Sequence, residues 1–151
     1  MVGKCRIRQF SFERGIFVMM QVHDIIFCLN SSNIGGQGVN AYTVLSAVNP
    51  EYIPGLFSFS TIVTIIGIDC SKDHVLKLIF YNEEETVGAL EGPLTPIDDS
   101  SNLPDEYKGI NLSVDWNNVN LKKEGSYTLS VYLDGKKLKD KSIYVKGKNQ
   151  G

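Results

Sequence analysis

After Arg14 the chain contains no arginine. Arginine is the preferred bidentate partner of phosphates and base edges, so its absence from the rest of the chain argues against nucleic-acid recognition. Long apolar runs are missing as well. A membrane helix needs about 20 consecutive apolar residues, and the nearest approach, Gly15 to Leu29, is interrupted by Gln21, His23 and Asp24. No small-residue cleavage site follows that stretch, so it makes a poor signal peptide, and the expected compartment is the cytoplasm, without a membrane partner.

Cysteine is sparse. Cys5, Cys28 and Cys70 cannot all pair within one chain, and they form no CxxC and no metal-knuckle spacing. Cys28 and Cys70 therefore read as small buried hydrophobes in a reducing environment. Histidine is limited to His23 and His74. Cys70, Asp73 and His74 lie close in sequence, but a nucleophile, base and orienter packed into one turn seldom reach triad geometry. His74 reads instead as a core-rim histidine capping a turn. Neither a metal nor a cofactor is expected, and no constellation marks an enzyme.

What is present is ordinary for one globular domain: 151 residues, 42% hydrophobic and 21% charged. Charge is unevenly placed. Residues 83–106 carry eight acidic groups and no basic one, and residues 108–151 carry nine lysines against four acids. Residues 1–18, which hold all three arginines, read as an N-terminal extension, 19–147 as the domain and 148–151 as a tail.

The domain reads as strand after strand, and no segment of ten or more residues keeps a helical period. "QVHDIIFCLN" is apolar on both faces, as a central strand is. "NAYTVLSAV", "LFSFSTIVTIIGI", "HVLKLIFYN", "TVGALEG" and "GINLSVDW" follow, with Leu76, Leu78 and Phe80 expected inward. "SYTLSVYLDGKKLKDKSIYV" is a hairpin turning at Asp134-Gly135. The expected fold is all-β, a single antiparallel β-sandwich of seven to eight strands, immunoglobulin-like or C2-like. In that last hairpin a two-residue turn would leave Ile143 and Val145 facing solvent. A β-bulge or a short break between Lys139 and Ser142 is expected to restore them to the core.

Gly35, Gly36 and Gly38 invite a phosphate-loop reading. A strand-like run follows them instead of a helix, and no Lys-Ser/Thr is present, so they read as a turn. Asp98, Asp99, Asp105 and Glu106 lack the alternating spacing of a calcium loop and read as a solvated connector. Three tyrosines, Tyr81, Tyr132 and Tyr144, fall on the outward phase of their strands. Tyrosine is favoured at interfaces, and it also shields lysine stems such as those of Lys77 and Lys137. These three form the candidate interaction surface.

Three stretches, "AYTVLSAVNPEYIPGLFSFSTIVTI", "HVLKLIFYNEEETVGALEG" and "NLKKEGSYTLSVYLDGKKLKDKSIYV", resemble in content and order a family of uncharacterised bacterial β-sandwich proteins, a domain of unknown function. The closing pattern G-x-Y-x-x-x-V-x-L-D-G is met by Gly125, Tyr127, Val131, Leu133, Asp134 and Gly135. The resemblance covers roughly residues 20 to 147 and implies a fold without implying an activity. The expected function is a non-catalytic protein-binding or structural module, met by a protein partner or by self-association through a sheet edge or the tyrosines. Two other readings stay open: a carbohydrate or small-ligand binder using Trp116 or Tyr107 as a stacking platform, and an enzyme with a loop-built site. The phase of Trp116, shared with Ile110 and Leu112, favours its burial.

Overall fold

The computed structural model describes residues 20–33, 38–68, 72–94, 103–104 and 107–149. The expected extension at 1–18, Cys5, Cys70, Gly35, Gly36, Asp98, Asp99, Asp105 and Glu106 lie outside the described residues.

Among the described residues, alternating apolar and polar positions put nine strands into two packed sheets. The strands are β1 (Gln21–Asn33), β2 (Val39–Val44), β3 (Ala47–Val48), β4 (Gly55–Ile66), β5 (His74–Tyr81), β6 (Thr86–Leu94), β7 (Gly109–Leu121), β8 (Gly125–Leu133) and β9 (Lys136–Val145). One sheet has the order β2-β1-β4-β7 and the other β3-β9-β8-β5-β6. The order β9-β8-β5-β6 over β1-β4-β7 is the arrangement of immunoglobulin-like sandwiches. Among the described residues no helix is long and apolar enough to cross a membrane.

The all-β sandwich matches the reading of the sequence, with two differences. The run "NAYTVLSAV" is not one strand: β2 pairs with β1, and the chain then crosses to the other sheet, where β3 joins β9. That raises the count to nine. The second difference is that β3 and β9 run parallel, so the sandwich is not wholly antiparallel.

The core lies between the sheets, where Ile25, Phe27, Phe59, Val63, Ile65, Leu78, Phe80, Leu129 and Val131 are buried. Its centre is aromatic. Phe80 is in ring contact with Phe27, Phe59, Trp116 and Tyr127 at centroid separations of 5.3 to 6.3 Å. Trp116 is likewise buried, stacked on Phe59, and its indole N–H donates to Thr61 Oγ1 at 3.0 Å. The outer face of the β1-β4-β7 sheet is partly covered too. The Ser31 hydroxyl of β1 hydrogen-bonds that of Ser113 on β7, bringing part of the β1–β2 hairpin over that face. Cys28 sits there fully buried. Burial pushes its thiol above the ordinary 9.0, which keeps it in the unreactive protonated form.

Tyr127 supplies a corner brace. Its ring is buried, and its hydroxyl donates to the carbonyl of Lys123, four residues upstream, at 2.8 Å. This is the tyrosine corner of immunoglobulin-like domains, tying the β7–β8 connection to the core. Tyr127→Phe keeps the ring and deletes the bond. It is expected to cost about 1 kcal/mol in urea unfolding, and an unchanged midpoint would assign the brace no energetic role.

The last hairpin turns as expected. Asp134 and Gly135 have φ of 53° and 83°, so both central positions are left-handed, as a type I′ turn requires. A bulge is present but not where the sequence suggested. The register changes between Val131–Lys139 and Tyr132–Lys137, placing the extra residue at Leu138, two paired residues beyond the turn. From Lys139 to Val145 the ladder is unbroken. Ile143 and Val145 do return to the core, and Leu138 packs against it. The consequence is that Lys139 and Lys141 take the inward phase, opposite Val131 and Leu129. Long aliphatic stems make that tolerable at a rim, because the ammonium can still reach a polar partner.

Candidate functional site

The outer face of the β9-β8-β5-β6 sheet is set by strict alternation. Leu76, Leu78 and Phe80 of β5 point into the core, which turns Lys77, Ile79 and Tyr81 outward. Leu129, Val131 and Leu133 do the same for Thr128, Ser130 and Tyr132 of β8. Cross-strand register then builds rows. Lys77 lies opposite Tyr132, which lies opposite Lys137, and Ile79 lies opposite Ser130, which lies opposite Asp140. Tyr81 lies opposite Thr128, which lies opposite Ser142.

All three candidate tyrosines fall on this face. Tyr81 and Tyr132 are half-buried, flanked by neighbours within the sheet. The Lys77 ammonium stands over the Tyr132 ring, 5.7 Å from its centroid, within cation–π range. Tyr144 is 54% exposed and pairs with Ser126 on β8 and Ala47 on β3, towards the other end of the face. The structure thus joins Tyr81 to a polar network, sets Tyr132 under the Lys77 ammonium, and leaves Tyr144 as a separate, freer ring.

That network was not apparent from the sequence. The Ser130 hydroxyl is 3.1 Å from Tyr81 Oη and also hydrogen-bonds the Asp140 carboxylate, which pairs with Lys137 Nζ at 3.1 Å. Partial burial pushes the Asp140 carboxyl up, but the bonds from Ser130 and Lys137 outweigh it and hold the group below 3.8. The Asp140 hydrogen bond, helped by its charge, raises Lys137 above 10.5. Both groups are therefore charged at neutral pH, and the Tyr81 phenol stands on a preorganised polar floor.

Beside Tyr81 the face opens into a cleft of about 470 Å³, lined by Asn82, Glu83, Glu84, Lys123, Glu124, Gly125, Ser126 and Thr128. Its walls are cross-braced. Lys123 pairs with Glu84, and Lys122 with Glu85 at 3.5 Å, joining the β5–β6 and β7–β8 turns. Asn82 accepts from the backbone N–H groups of Glu84 and Glu85 and fixes the turn that carries the carboxylates.

The other sequence candidates resolve differently. His74 pairs with Asp134, sixty residues away: Nδ1–H donates to Oδ2 at 2.6 Å, while Oδ1 accepts from the Val75 N–H at 2.8 Å. Both carboxylate oxygens are thereby committed to pinning the β8–β9 turn onto β5. Partial burial pushes Asp134 up, but these bonds and the His74 charge hold it below 3.8. Its folded value lies below its unfolded one, so its stabilisation is present above about pH 4. It is lost as pH falls through the folded value. Asp134→Asn is expected to flatten the fall in melting temperature below pH 4, and an unchanged pH profile would contradict this. Trp116 is buried and offers no platform, whereas Tyr107 is 61% exposed. After Gly38 comes a strand, β2, hydrogen-bonded to the strand before the glycines, and not the helix a phosphate loop needs. Among the described residues no group of three or more His, Cys, Asp or Glu is placed to hold a metal ion.

No curated protein matches this sequence. Among solved structures, similar ones include the alkylpurine DNA glycosylase AlkC of Pseudomonas fluorescens, at 7% identity and TM-score 0.40. It is aligned over 85% of this chain and 31% of its own. The β-glucosidase of Listeria innocua, in complex with gluconolactone, is similar at 11% identity and TM-score 0.42, over 80% of this chain and 16% of its own. The chain thus spans under a third of the length of either protein. The sequence match to a family runs from residue 33 to residue 146, β2 to β9 inclusive. On that match the chain belongs to the family of unknown function DUF6941.

Proposed function

We propose that this domain is a non-catalytic protein-binding module whose contact surface is the outer face of the β9-β8-β5-β6 sheet. The observation that carries the reading is Tyr81 hydrogen-bonded into a network of Ser130, Asp140 and Lys137, with Tyr132 beside it, opposite Lys137 and under the Lys77 ammonium. Rigid aromatic rings on an ordered polar floor lose little conformational entropy on contact, which suits a protein interface. Tyr144 adds a third ring with more than half its surface free.

The test compares capture of partners from the source lysate by the unaltered chain and by Tyr132→Ala/Tyr144→Ala. The substitutions lie outside the core, so circular dichroism should report an unchanged fold. A defined partner retained by the unaltered chain and lost from the double variant supports the reading. Equal capture by both chains sinks it.

A further inference from the structure

We infer that the free edge of β9, from Lys136 to Ile143, is a docking edge for an extended segment of another protein that carries carboxylates at alternating positions. β9 is hydrogen-bonded to β8 over its length, whereas β3 meets it only at Tyr144 and Val145. Among the described residues no strand is hydrogen-bonded to the remainder, so alternate N–H and C=O groups of β9 face away from the sheet. Such an edge is a template for strand addition.

The charge on the edge selects the occupant. "KKLKDK" places four lysines against Asp140 within residues 136–141. Asp140 neutralises Lys137. Among the described residues, Lys136, Lys139 and Lys141 have no carboxylate within ion-pair distance. Lys141 reaches across the seam between the sheets and donates to the backbone carbonyl of Ile25 on β1. A neutral carbonyl is a weaker acceptor than a carboxylate, so that cation is held without being neutralised.

Lys139 and Lys141 share the inward phase two residues apart, opposite Val131 and Leu129. A strand added beside β9 sets its own same-phase side chains roughly 5 Å from them. Carboxylates at every second position would then meet both. A second copy of this chain adding through the same edge would instead set lysine against lysine, which is unfavourable and guards the edge against self-pairing. The acidic strand is therefore the occupant that the edge fits. This edge adjoins the tyrosine-bearing face, with which it shares Lys137 and Asp140, but it is read through Lys139 and Lys141, which take the opposite phase.

The experiment titrates the full-length, isotopically labelled chain with an eight-residue capped peptide alternating Glu and Thr, followed by amide NMR. A Lys-Thr peptide serves as the control. The Glu peptide is expected to shift the amides of Leu138, Asp140 and Ser142, with affinity falling as salt rises. The Lys peptide should leave them in place. Lys139→Gln/Lys141→Gln is expected to weaken the Glu peptide about tenfold, the loss of two charge pairs. Tyr132→Ala should leave that affinity unchanged, so this inference and the reading of the outer face fail separately. The inference is overturned by equal shifts from both peptides, by shifts confined elsewhere, or by unchanged affinity in the double variant. Self-association of that variant with no peptide effect would also overturn it, leaving the lysines as edge guards alone.

Discussion

Phe80→Ala is expected to destabilise the domain by about 3–5 kcal/mol, a large share of the roughly 5–15 kcal/mol that holds a typical domain folded. Phe80 is fully buried, and four aromatic rings surround it from both sheets: Phe27, Phe59 and Trp116 from the β2-β1-β4-β7 sheet and Tyr127 from its own. Deleting the ring removes its transfer energy and leaves a cavity that rigid aromatic neighbours collapse into poorly. Trp116 reports the event, because its ring centroid lies 6.2 Å from that of Phe80. Urea unfolding followed by tryptophan fluorescence gives the number. A loss below about 1 kcal/mol, the range of a surface site, would show that the residue does not hold the sheets together.

Gly109→Ala is expected to cost about 3 kcal/mol, through the backbone and not the core. Gly109 opens β7 opposite Ile66, and a Cβ there would stand 1.8 Å from the carbonyl oxygen of Ile65. No side-chain rotation relieves a contact with backbone, so the β4–β7 ladder itself must shift. Gly92→Ala in β6 is the matched control, since a Cβ at Gly92 meets nothing within 4 Å. It should stay within about 0.5 kcal/mol of the unaltered chain. Equal melting temperatures for the two variants would contradict the close approach at Gly109.

The strands and their phases were legible because one buried face imposes a period of two on each. Leu76, Leu78 and Phe80 are inward and Tyr81 outward, as alternation alone dictates. Sheet membership was not legible. The run "NAYTVLSAV" holds β2 and β3 in different sheets, and nothing local marks Leu45 and Ser46 as the crossing. The need for a bulge in the last hairpin was visible from Ile143 and Val145. Its place at Leu138 depends on whether the Lys139 and Lys141 stems can lie along the rim, which is a tertiary question. The same limit applies to the candidate surface. Each tyrosine could be set outward from its strand, but the Ser130–Asp140–Lys137 floor exists only in the register that brings β8 and β9 together. His74 was readable as a turn clamp, and its partner was not, because Asp134 is local to it only in space.

The outer face of the β9-β8-β5-β6 sheet as a protein contact surface is tested most directly by photo-crosslinking inside source cells. A benzophenone amino acid replaces Tyr132 in one chain and Tyr52, 57% exposed on the β3–β4 connector, in another. The expected result is a defined higher-mass adduct from position 132 that is absent from position 52. No adduct at 132, or the same adducts from both positions, would contradict the proposed surface.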